Sequence, residues 1–198
     1  MTEFDLVIDH FAREIDNLPR VSQSIFFASA ARVIYDDHSD AIDTLSLASV
    51  FEHAYKTITD AATDGGSRTS PFQGQVADAL NAINSCSPDS LVLENSWICL
   101  DAAGRILVDS TYSSGLSVEF ALQPSVGLAT MEKFGVWQLG SGDQEEGQVA
   151  EVMKANQVVR ASECCSQAIA YLLSSQAKLR EALHATFTIL KDLTTESK

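Results

Sequence analysis

Apolar residues recur at three- and four-residue spacing along almost the whole chain, and no stretch keeps the apolar/polar alternation of a half-buried strand. The pattern predicts an all-α protein. A first helix opens at Thr2, whose hydroxyl is placed to accept from the amide near Asp5, and turns Phe4, Val7, Ile8, Phe11 and Ile15 inward. Pro19 suits the first position of a second helix because its missing N–H would be unpaired there anyway; Ile25, Phe26, Ala28, Ala31 and Tyr35 form the inward stripe. Asp36-Asp37-His38-Ser39-Asp40 reads as a turn. A third helix carries Ile42, Leu45, Val50, Phe51, Ala54, Tyr55 and Ile58 and stops at Gly65-Gly66.

Ser70-Pro71 and Ser87-Pro88 repeat one start signal, a capping hydroxyl before a proline. The first starts a short helix that buries Phe72, Val76, Leu80 and Ile83. The second starts a helix over residues 88–112, apolar round much of its circumference, with Leu93, Trp97, Leu100, Gly104 and Leu107 on one face and Val92, Cys99, Ala103 and Ile106 on the next. Residues 116–138 predict another helix, kinked or split at Pro124. A polar Gly140–Gly147 loop precedes a last segment, 148–192, in which Ile169, Leu172, Leu179, Leu183, Phe187 and Leu190 form a seam suited to the bundle or to a second subunit. The expectation is one domain over 1–198, a bundle of about six or seven helices around an apolar central helix near residues 88–112.

Composition narrows the function classes. The chain holds 13 Lys+Arg against 27 Asp+Glu, a net charge of −14, and such a field repels nucleic-acid phosphates and anionic lipid. No apolar run approaches the roughly 18 residues a membrane span needs, so neither nucleic acid nor membrane is an expected partner. The opening Met1–Asp5 resembles no secretory signal, and the cysteines, Cys86, Cys99, Cys164 and Cys165, show no CxxC spacing. A cytoplasmic protein with reduced thiols is expected.

Candidate chemistry is sparse. Asp36, Asp37, His38 and Asp40 could hold a divalent ion in a turn, yet local capping accounts for them better. Asp143, Glu145 and Glu146 lack the spaced oxygens of a calcium loop and suit the first turn of the last helix. His10, His53 and His184 stand isolated, Cys164-Cys165 has no flanking cation to stabilise a thiolate, and the glycine clusters match no phosphate-binding motif. No cofactor and no metal site is expected. Asp101 is the most informative single residue: an unpaired carboxylate in an apolar helix would cost several kcal/mol, and Arg105, one turn later, is placed to pair with it. The functional alternative is a pocket formed with Trp97, Asp101 and Arg105.

Leu18, the run Phe26-Phe27-Ala28 through Tyr35, Glu52 with Tyr55 and Ile58, Pro88-Asp89, and Trp97 followed by Asp101-Ala102 stand together in an order that resembles the YjaG-like proteins, an uncharacterised bacterial all-helical family known as a domain of unknown function. The chain departs from that pattern where Arg32 is displaced by one position and Asp36-Asp37 replaces a Pro-Asn turn. The resemblance implies a helical fold and a bacterial cytoplasmic setting, and nothing chemical.

Over residues 36–64 seven acids, Asp36, Asp37, Asp40, Asp43, Glu52, Asp60 and Asp64, face one base, Lys56. The leading expectation is therefore a non-catalytic acidic interaction protein whose field steers a basic protein partner. The alternative is a small-molecule or metal-dependent enzyme with its pocket near Asp101. A homodimer through the 169–190 seam is a third arrangement.

Overall fold

A computed structural model describes residues 2–38, 45–64, 70–85, 90–137, 145–191 and 193. Among these residues there are nine α-helices and one 3-10 turn, and no strand. At the amino end, α1 (Glu3–Asp16) begins as its residues dictate: the Thr2 hydroxyl accepts from the Asp5 amide at 3.2 Å, and the Asp5 carboxylate accepts from the Thr2 amide at 2.7 Å. The bonds with Thr2 hold the Asp5 carboxyl below its ordinary range.

Two helices, not one, occupy the centre. Residues of α2 (Arg20–His38) are buried almost all round, as are those of α5 (Leu91–Val108). They run antiparallel, since the Ser24 hydroxyl donates to the Ala103 carbonyl at 2.9 Å and the Ser96 hydroxyl donates to the Ala31 carbonyl at 2.7 Å. Small alanines and serines along the contact let the backbones approach closely enough for those bonds, each worth about 1 kcal/mol. At one end Arg20 closes the last turn of α5, donating to the carbonyls of Ile106 at 2.9 Å, Tyr112 at 3.2 Å and Asp109. That cap ends α5 at Val108, short of the expected Tyr112. The Tyr112 side chain instead shares a 2.6 Å hydrogen bond with Ser117, in the 3-10 turn Ser114–Ser117. The expected start at Ser87-Pro88 lies outside the described residues.

Around this pair stand α3 (Leu45–Thr63), α4 (Ser70–Asn84), α6 (Val118–Phe134), α7 (Glu145–Met153), α8 (Asn156–Ser174) and α9 (Leu179–Leu190). The helix count exceeds the expected six or seven because the 145–190 stretch is three helices. Ala155 is extended, and the break turns Val152, Met153 and Val158 onto Ala129 of α6 as a second, smaller apolar cluster. Ser175 and Lys178 are also extended, so α9 folds back on α8 and α2. The 169–190 seam is consequently consumed within the chain: Ile169, Leu172 and Leu190 are buried, and Leu179, Leu183 and Phe187 pack on the same core.

Three local expectations are corrected. Asp36 and Asp37 belong to α2 rather than to a turn, because Asp36 pairs with Arg32 one turn earlier at 2.9 Å. Pro124 does not split α6; Val118, Ala121, Leu122, Pro124 and Ser125 are all buried, and that packing carries the helix past one missing donor. The helix also ends before 138. Gly135 takes a left-handed conformation (φ 72°) and returns the chain so that the Trp137 ring lies on Gly127, where a Cβ would stand 2.4 Å from the indole.

Candidate functional site

Tertiary structure redistributes the acids of 36–64. Arg32, on α2, meets the Glu52 carboxylate of α3 at 2.7 and 2.8 Å and Asp36 at 2.9 Å, while its guanidinium lies over the rings of Tyr35 (5.6 Å) and Tyr55 (5.4 Å). Behind the two tyrosines, Phe51 stacks on Tyr35 with centroids 3.9 Å apart, and Trp97 approaches Phe51 at 5.0 Å. Burial pushes the Tyr35 and Tyr55 hydroxyls up from their ordinary pKa. Further along α3, Lys56 pairs with Asp60 at 2.6 Å, and Arg180 of α9 grips Asp64 at 2.9 Å. Four of the seven acids are thus bonded to bases, two of which, Arg32 and Arg180, lie outside the 36–64 stretch. Asp37 stands exposed near the end of α2, and Asp40 and Asp43 lie outside the described residues.

Trp97, Asp101 and Arg105 do not line one pocket. Trp97 is a core anchor, as its position on α5 implies, and its buried indole N–H has no hydrogen-bond partner among the described residues. Asp101 lies one turn on, at the margin facing α4; its side chain is 18% exposed, and it accepts from Arg105 at 2.5 Å and from the Asn84 amide at 3.2 Å. Each carboxylate oxygen accepts from a side chain, so Asp101 pairs with Arg105 within α5 and ties that helix to α4 through Asn84. Cys99, Cys164 and Cys165 are buried, and burial raises the Cys99 and Cys165 thiols far above the range in which a thiolate forms. His10, His53 and His184 are exposed. Among the described residues no three His, Cys, Asp or Glu side chains gather as a metal site.

An open, polar cavity lies elsewhere, between α5 and α6. Leu91, Glu94, Asn95 and Ile98 form one wall, Glu119, Phe120 and Gln123 the other, and Trp137 closes an end; the volume is about 270 Å³. Among the described residues no lysine or arginine lines it. Glu94 and Glu119 have no ion-pair partner among the described residues, and each stands in the first turn of its helix, where the positive end of the helix dipole favours a carboxylate. Burial, with Asp5 of α1 adding repulsion, nevertheless pushes the Glu119 carboxyl above its ordinary pKa. On the other side of Trp137 a second cleft of about 230 Å³ is mostly apolar, lined by Phe4, Val126, Val149, Val152 and Met153 among others. Sequence reading missed the first cleft. Its one trace there is the spacing of Leu91, Glu94, Asn95 and Ile98, which puts two polar groups between aliphatic residues on one side of an otherwise buried helix.

In comparisons with known proteins, no family model, no curated protein and no solved structure matches this chain.

Proposed function

We propose that this protein is a non-catalytic acidic binding protein that takes a positively charged partner at the α5/α6 end of the bundle. The observation that carries the reading is the uneven fate of the acids: Asp36, Glu52, Asp60 and Asp64 are bonded to bases, whereas Glu94 and Glu119 border an open cleft without one. A carboxylate already paired has little left to offer a partner; an unpaired one beside low-dielectric walls attracts a cation more strongly than it would in bulk water. The closed Asp101–Arg105 pair and the buried thiols of Cys99 and Cys165 do not favour the alternative, an enzyme with its pocket near Asp101. Membership in the YjaG-like family belongs to the same proposal. It is supported by the convergence of Tyr35, Glu52, Tyr55 and Trp97, residues that carry the resemblance, in one cluster of the fold.

The test is titration calorimetry with tetralysine and tetraglutamate at two salt concentrations. Tetralysine should bind with an affinity that falls as salt rises, and tetraglutamate should not bind. The Glu94→Gln/Glu119→Gln variant should weaken tetralysine binding at least tenfold, and Asp60→Asn should leave it unchanged. Equal binding of the two peptides, or an equal loss in both variants, defeats the reading.

A further inference from the structure

Asn95 is the feature of the α5/α6 cleft that packing alone does not explain. The residue is only 6% exposed, and it lines the cleft. Its amide has no hydrogen-bond partner among the described residues, in contrast to Ser24, Ser96 and Gln23, equally buried on the two central helices, each of which donates to a carbonyl. Neither polar atom of that amide is sealed from solvent, so its hydrogen bonds are made in the cleft, and a ligand there takes the place of water.

The other walls define that ligand. Two carboxylates without a base exclude an anion and leave a neutral guest facing uncompensated charge. A bare divalent ion fits less well: the cleft offers two carboxylates and the amides of Asn95 and Gln123, no third carboxylate or imidazole gathers there among the described residues, and Leu91, Ile98, Phe120 and Trp137 cannot replace lost hydration. A primary ammonium has three N–H donors to share among the carboxylates and amide oxygens, and the carbon chain behind it suits aliphatic and aromatic faces. The cavity, about 270 Å³, falls just below the roughly 300–1,000 Å³ range of small-molecule sites, which limits the guest to a short chain.

We propose that this cleft is a binding site for an alkylammonium group, whose nitrogen donates to Glu94, Glu119 and the Asn95 amide oxygen while its methylenes lie on Phe120 and Trp137. The assignment rests on the acidic-binding reading and sharpens it from charge to chemistry. Free diamines and the lysine side chain of a peptide both present this group.

The experiment is calorimetry at low salt with 1,5-diaminopentane, its neutral counterpart 1,5-pentanediol, MgCl₂, and a blocked Gly-Lys-Gly peptide, repeated on Asn95→Leu and on Glu94→Gln/Glu119→Gln. Circular dichroism verifies that each variant is folded; Glu94 is exposed, so Glu94→Gln alone serves if Asn95→Leu unfolds. The diamine should bind, the diol should not, Asn95→Leu should weaken the diamine about tenfold, and the double glutamine variant should weaken it more. Diamine binding without peptide binding assigns the site to free amines, and binding of both assigns it to the lysine side chain as well. The proposal is overturned if the diol binds as well as the diamine, if Mg²⁺ competes for the cleft, or if diamine affinity ignores Asn95 and both glutamates. Should tetralysine still bind in that last case, only the cleft assignment falls; should no cation bind at all, the acidic-binding reading falls with it.

Discussion

The Arg32 side of the molecule and the Trp137 side are built from the same kinds of residue, acids beside aromatic rings, and have opposite outcomes. Around Arg32 one guanidinium meets two carboxylates and two tyrosine faces, and Phe51 and Trp97 seal the rear. Around Trp137 the carboxylates Glu94 and Glu119 border open space and the aromatic rings line it. The difference is one base. An acid-rich stretch therefore reveals nothing about where charge is available until the fold shows which bases reach it, and here Arg32 and Arg180 reach the stretch that looked most exposed in sequence.

If the closed side is structural, its disruption should cost stability and leave cation binding intact. Trp97→Ala is the largest such change, because it removes a buried indole beside the stacked Phe51 and Tyr35 rings and leaves a cavity that tightly packed helices fill poorly. A loss of about 3–5 kcal/mol is expected, read as a shift in the urea midpoint at constant slope. A loss below about 1 kcal/mol would mean that the unpartnered indole N–H already offsets most of what the ring contributes by packing.

Arg32→Met separates charge from packing in the same cluster. Methionine keeps an apolar stem against Tyr35 and Tyr55 but takes the Arg32 charge away from Asp36 and Glu52. Because the Arg32 side chain is 26% exposed and both carboxylates are more so, water takes over part of the lost pairing. The expected cost is about 2 kcal/mol, below the 3–5 kcal/mol of a fully buried broken pair. A double-mutant cycle with Glu52→Gln measures the share carried by that contact. An unchanged midpoint would place the cluster among surface ion pairs of negligible worth.

The contrast also explains what the sequence could and could not reveal. The helical class, the inward stripes of α1 and α5, the Thr2 cap, the Trp97 anchor and the Asp101–Arg105 pair all depend on neighbours within a turn or two, and spacing is enough to find such neighbours. The second central helix was hidden because Ser, Gln and Ala on α2 read as polar or neutral; burial of Ser24 becomes intelligible only once the Ala103 carbonyl is opposite it. The breaks at 154–155 and 175–178 carry neither Gly nor Pro, and packing onto α6 and α2 decides them. The cleft is more remote still, requiring α5, α6 and the returning Trp137 together, and that return depends on Gly135 and Gly127, some distance from the carboxylates in sequence.

On the open side the smallest effect is the most diagnostic, because its sign differs. Glu119 has its carboxyl raised, first by burial and then by Asp5, and no base offsets either. A carboxyl whose folded pKa exceeds its unfolded value stabilises the fold fully below the unfolded pKa, and that contribution is lost as pH rises through the folded one. At pH 7 the charged side chain is therefore a burden, and Glu119→Gln, which does not titrate, should be slightly more stable than the parent, by under about 0.5 kcal/mol given solvent screening. At an acid pH well below the ordinary carboxyl range the parent is protonated and the advantage should vanish. Urea midpoints of the two proteins at both pH values check this, and adding 1,5-diaminopentane at pH 7 should reverse the order, since the ammonium binds, and so stabilises, the protein that keeps both charges more strongly. A Glu119→Gln variant less stable at pH 7 would mean that the helix dipole and an unrecognised donor already satisfy this carboxylate, and the cleft would then have no unmet charge with which to select a cation.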